Sequence, residues 1–162
     1  MSAERGVDFW FSIGSTYTCL SVLRLRELAL KHRIDFRRHP FNVRDIMLEI
    51  GNRPFVGKPA KLAYMWRDID RRARRYGLQV RVPAPYPLDD MDFANRLATL
   101  ACAHEWGPPY VMAAYRWWFH DGWPPDREPN VSASLREVRQ DPENRRTRKI
   151  WSNWPATARA HR

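Results

Sequence analysis

Val7-Asp8-Phe9-Trp10-Phe11-Ser12-Ile13-Gly14-Ser15-Thr16 sets a short apolar run directly before a cluster of small and polar residues. The run reads as a β-strand with aromatic side chains on both faces, which suits a strand covered on both sides. Ser12 to Thr16 reads as a turn with helix-capping side chains. A helix follows from about Thr16 to His32, with Val22, Leu23, Leu25, Leu28, Ala29 and Leu30 covering more than half its circumference. Ile34-Asp35-Phe36-Arg37 alternates and reads as a second strand. Strand, helix and strand in so short a span predict a right-handed βαβ unit with parallel strands.

Beyond this unit the chain reads as helical. Leu62, Met65, Trp66, Ile69, Ala73 and Tyr76 keep helical spacing, and Gly77 ends that helix. Asp68–Arg72 and Asp70–Arg74 are favourable i,i+4 pairs on the same helix. Val82 to Pro87 is a stiff, proline-rich linker. Asp89 or Asp90 caps a further helix, with Phe93, Leu97, Leu100 and His104 on one face. Gly107-Pro108-Pro109 breaks it and starts another that runs to about His120. Ser132 to Arg139 reads as one more helix. After Asp141 no period of two or 3.6 survives, and residues 141–162 read as disordered or adventitious sequence.

Composition narrows the functional classes. The 162 residues carry 44% hydrophobic residues, enough for a core. The formal net charge is +10, but six basic residues against two acidic ones lie after residue 140, outside the periodic part of the chain. The Arg71-Arg72-Ala73-Arg74-Arg75 run falls on the solvent side of an amphipathic helix, so a solvated face is a better reading than a nucleic-acid patch. Trp117-Trp118-Phe119 likewise reads as core or interface rather than a base-stacking platform. The five histidines lack ligand spacing, so no metal is expected. No apolar stretch is long enough for a membrane span and no secretory signal is evident, which makes a cytoplasmic location the default.

The chemistry centres on the turn. A helix start beside it favours negative charge, including a thiolate. Ser15 sits at the cap position, and its hydroxyl could hold a ligand sulfur as the anion; the simpler local reading is a helix cap. Thiol redox chemistry has little support. Ser15 and Thr18 stand where a Cys-x-x-Cys pair would be, and Cys19 and Cys102 read as separate free thiols.

Two segments carry a specific resemblance. VDFWFSIGSTYTCL (7–20) and GNRPFVGKPAKLAYMWRDIDRRARRYGLQVRVPAPYP (51–87) resemble the 2-hydroxychromene-2-carboxylate isomerase and kappa-class glutathione transferase family. The matched features are the Ser-containing turn, a Gly-Asn-x-Pro turn, a Lys-x-x-Tyr-Met helix, an Arg-Tyr-Gly-Leu helix end and a proline-rich exit. The resemblance spans about 7–140 and implies an α/β, thioredoxin-like (DsbA-like) fold. A βαβ unit would occupy residues 1–59 and an all-helical insertion residues 60–140.

The resemblance also implies glutathione as cofactor and a small aromatic or electrophilic substrate. In the isomerase reaction the thiolate adds to the substrate, a bond rotates, and the thiol is eliminated; a kappa-type transferase would conjugate an electrophile instead. Ser15 would hydrogen-bond the glutathione sulfur, with Asn52 and Lys61 as further glutathione- or substrate-binding residues. Tyr64 and Trp66 could wall an aromatic pocket, although core packing is the preferred reading. Family members are often dimers.

Thr16 stands where the family usually has proline, and Ser12 where an acidic residue is common. The family's Val-Pro segment and closing ββα unit have no counterpart after Asp141, as in a truncated or frameshifted member. Such a chain would expose β1 as a sheet edge and show weak or no activity, as a non-catalytic remnant or interaction fragment. A DsbA-like oxidoreductase fits the fold but not the residues.

Overall fold

The computed structural model describes residues 5–53 and 55–142. The expected βαβ unit opens the chain. Strand β1 (Arg5–Phe11) runs parallel to β2 (Ile34–Pro40), with Val7 opposite Phe36 and Phe11 opposite Pro40. Among the described residues the sheet holds these two strands only. The structure of the expected tail from 143 onward lies outside the described residues.

The crossover differs from the single helix read from sequence. It is two helices, α1 (Thr18–Val22) and α2 (Leu25–His32). At the joint the Arg24 N–H donates to the Ser21 carbonyl, three residues back rather than four, which tightens the chain. The Arg24 guanidinium lies 3.7 Å from the centre of the Tyr76 ring, a cation–π contact that pins the joint.

The two faces of β1 are not both covered. Phe9 and Phe11 share one face, and Phe11 is buried in the core. Trp10 points the other way and is 66% exposed. Among the described residues no helical layer covers it; it stacks on His39 with ring centres 4.5 Å apart. Asp8 accepts from Arg37 at 2.9 Å on the same open face.

Helices make up the rest: α3 (Val43–Glu49), α4 (Pro59–Arg75), α5 (Met91–Cys102), α6 (Gly107–Arg116) and α7 (Asn130–Glu137). Helix α6 continues into a π-helical segment, Trp117–Asp121. On α4, Met65, Ile69 and Ala73 are buried, as the spacing predicts. Asp90 is the α5 cap, accepting from the Phe93 N–H at 2.9 Å.

The buried face of α5 departs from the sequence reading. It is Met91, Ala94, Asn95, Leu97, Ala98 and Ala101, while Phe93 and Leu100 are half-buried and His104 is exposed. Asn95 turns inward to bond the backbone at Ile13, and this sets the rotation of the helix. Tyr115, Trp118 and Phe119 fill the centre of the core. The Trp118 indole N–H donates to the Pro85 carbonyl at 2.8 Å and fixes the linker to that core. Among the described residues no helix is long and apolar enough to cross a membrane.

Gly14 shows how tightly the turn after β1 is packed. Its φ is +111°, a conformation that side chains other than glycine's rarely adopt, and a Cβ there would lie 2.5 Å from Met91 Cε. The Met91 side chain can move, but the backbone strain remains. Gly14→Ala is expected to lower stability by about 1–3 kcal/mol. A urea unfolding curve with a lower midpoint and unchanged slope would show it.

Candidate functional site at the turn after β1

The turn from Ser12 to Ser15 is held by side chains far away in sequence. Asn95 accepts from the Ile13 N–H at 2.7 Å and donates to the Ile13 carbonyl at 2.9 Å. The Tyr115 hydroxyl donates to the Ser12 carbonyl at 2.9 Å and lies 3.2 Å from the Ser15 carbonyl. Ser12 Oγ accepts from the Val43 N–H at 3.3 Å, which ties the turn to α3. Inside the turn, the Ser15 N–H donates to the Ser12 carbonyl at 3.1 Å. Burial pushes the Tyr115 phenol well above its ordinary range, so the hydroxyl keeps its proton and remains a donor.

Ser15 does not cap α1. The cap position is Tyr17, without a side-chain cap bond, and the helix begins at Thr18. A capping residue's carbonyl accepts the first helical bond, but the Ser15 carbonyl faces the Tyr115 hydroxyl instead. Between them, Thr16 and Tyr17 are drawn towards α4. The Thr16 hydroxyl lies 3.2 Å from the Met65 sulfur, and the Tyr17 hydroxyl donates to Asp68 at 3.0 Å. With five residues, α1 contributes only a small dipole at this end. The Ser15 hydroxyl itself, and not the helix dipole, is therefore the candidate group of the turn. Ser15 is half-buried, and its hydroxyl makes no hydrogen bond among the described residues.

Lys61 is exposed in the first turn of α4. It precedes Met65 by four residues, so the two share a face about 6 Å apart along the axis. Its Nζ lies 5.8 Å from the centre of the Phe55 ring. Asn52 is exposed in the loop after Gly51, and its N–H donates to the Met47 carbonyl at 2.7 Å. Among the described residues no hydrogen bond or ion pair joins Ser15, Asn52 and Lys61.

Trp66 packs as expected, with ring centres 6.0 Å from Tyr86 and 6.4 Å from Phe119. Tyr64 does not: it is 63% exposed and belongs to the surface beside Lys61, because the inward positions at that level are taken by Met65 and Leu62.

Asp68 forms a second fixed point. It is buried and accepts from Arg71 at 2.8 Å, Arg72 at 2.7 Å and the Tyr17 hydroxyl. The pairing read from sequence is thus present, with Arg71 added. The two guanidiniums hold the Asp68 carboxyl at about 2, against an ordinary 3.8, although burial works the other way. A pKa lower in the folded than in the unfolded chain contributes stability above the unfolded value and loses it on acidification. Thermal stability should therefore fall as pH drops from about 4 to about 2. Asp68→Asn should flatten this part of the profile, and melting curves across that range would measure it.

Neither cysteine resembles a reactive thiol. Cys19 is buried in α1, and burial pushes its thiol far up. Cys102 is half-buried and pushed up to about 11. Nucleophilic cysteines have lowered values, so these two are poor candidates. Among the described residues no group of three His, Cys, Asp or Glu could hold a metal.

Sequence reasoning missed Tyr115 and Asn95. The one available signal was a polar side chain, Asn95, between the apolar positions Ala94 and Leu97.

A family model described as a DSBA-like thioredoxin domain matches residues 6–147. Among solved structures, the chain is similar to 2-hydroxychromene-2-carboxylate isomerase (HCCA isomerase), with a TM-score of 0.77 and 24% identity. That match covers 95% of this chain and 74% of the other. No curated protein matches.

Proposed function

Because the chain belongs to the DSBA-like thioredoxin family, we propose that it descends from glutathione-dependent isomerases and transferases and uses the turn at Ser15 to hold the glutathione sulfur. The observation that carries this reading is the half-buried Ser15 hydroxyl, which has no partner among the described residues while Ile13 and the Ser12 and Ser15 carbonyls around it are bonded. Glutathione suits that position, since a hydroxyl donor beside a thiol favours the thiolate. Bound there, glutathione would supply a thiolate nucleophile.

The chain's own residues do the rest. Ser15 donates to the sulfur and stabilises its charge. Lys61, on the α4 face that meets the turn, attracts an anionic group of glutathione or of the substrate. Asn52, in the loop after Gly51, offers an amide to the same ligand. The reaction that fits best is cis-trans isomerisation of a 2-hydroxychromene-2-carboxylate type of substrate; conjugation of an electrophile would use the same groups. A disulfide oxidoreductase is not favoured, because both thiols are held up in pKa by burial.

Calorimetry with glutathione, paired with an isomerisation assay on 2-hydroxychromene-2-carboxylate, tests the reading. Saturable binding with glutathione-dependent turnover is expected. Absence of binding would leave the non-catalytic fragment as the better account, and insulin reduction would restore the oxidoreductase.

A further inference from the structure

We propose that Tyr115 and Asn95, two buried side chains of the helical region, are positioning residues that set the direction of the Ser15 hydroxyl; the role rests on the glutathione reading above. Among the described residues only one backbone bond, Ser15 N–H to the Ser12 carbonyl, closes the turn from within. Both polar groups of Ile13 and the carbonyls of Ser12 and Ser15 are met from α5 and α6. Asn95 takes both the donor and the acceptor of Ile13, and Tyr115 meets the carbonyls of Ser12 and Ser15.

Polar atoms are costly inside a core unless they are used. The Tyr115 ring packs beside Trp118 and Phe119, with centres 5.8 Å and 6.4 Å away, and phenylalanine would serve that packing as well. The hydroxyl serves the turn. By facing the Ser15 carbonyl it keeps Ser15 outside α1, so the side chain leaves the turn before the helix begins. Asn95 fixes the same turn two residues earlier. Small errors in the placement of a reacting group cost large factors in rate, so holding this backbone bears directly on the sulfur.

The test uses the full chain with glutathione as probe. Ultraviolet thiolate absorbance followed against pH gives the pKa of the bound thiol in the parent protein, in Tyr115→Phe and in Tyr110→Phe. Tyr110 is a buried tyrosine of the same helix whose hydroxyl makes no bond to the turn. Tyr115→Phe is expected to raise the bound thiol's pKa by about one unit towards that of free glutathione, while Tyr110→Phe leaves it in place.

A merely structural role would lower the melting temperature without moving the bound thiol. A bound thiol unchanged in Tyr115→Phe would overturn the positioning role alone. If the parent protein formed no thiolate with glutathione, the functional reading would fall and the positioning role with it. Should Tyr115→Phe not fold, Asn95→Ser leaves space for water at Ile13 and gives the same readout, with the same outcomes.

Discussion

Asn95→Leu is expected to destabilise the protein by about 4 kcal/mol, although the two side chains branch alike at Cγ. The reason lies at Ile13. Its N–H and carbonyl are both bonded to the Asn95 amide, at 2.7 and 2.9 Å, and Ile13 is 1% exposed. Leucine removes both partners and fills the space that water would need. A buried donor or acceptor left without a partner costs about 1–3 kcal/mol, and here there are two. The Met91 carbonyl, which also accepts from Asn95, lies inside α5 and adds less. Chemical unfolding of the two proteins gives the difference directly. A loss below about 1 kcal/mol would mean that the turn finds other partners.

Ser15→Ala is expected to leave the fold intact and lower glutathione-dependent turnover about 10- to 100-fold. The side chain is half-buried and bonds to no described residue, so the folded chain loses little. A hydrogen bond to a charged group contributes about 1.5–3 kcal/mol, and each 1.36 kcal/mol is a factor of ten in rate. The loss should appear in kcat rather than in the KM for glutathione, because the rest of the tripeptide keeps its contacts. Steady-state kinetics on the same substrate separates the two parameters. Equal turnover in the two proteins would remove Ser15 from the chemistry.

The contrast between these residues shows what local pattern can and cannot carry. Phe9 and Phe11 before Gly14 and Ser15 spell a strand and a turn through alternation and small residues, and both elements are present. The Asp68–Arg72 pair and the Asp90 cap follow from spacings of three and four within a helix. Tyr115 and Asn95 reach the turn across 103 and 82 residues. Within α6 a tyrosine at a core position looks the same whether or not its hydroxyl has a task. Neither the break at Arg24 nor the open face at Trp10 could be read locally. The first depends on Tyr76, about a third of the chain away, and the second on which layers cover the sheet.

Ser15 is legible in the sequence as a polar residue at a turn, with a helix cap as the simpler local reading of its hydroxyl. The structure instead holds the Ser15 carbonyl against Tyr115 and starts α1 three residues later. That change strengthens the hydroxyl's candidacy, because a capping oxygen would be occupied by backbone N–H groups. It also shifts weight from the helix dipole to the side chain.

A crystal structure of the full chain grown with glutathione examines this assignment most directly. The account places the tripeptide's sulfur within hydrogen-bond distance of Ser15 Oγ, with the Tyr115 hydroxyl still on the Ser12 and Ser15 carbonyls. Glutathione bound elsewhere on the protein, with Ser15 Oγ turned into the core, would contradict it.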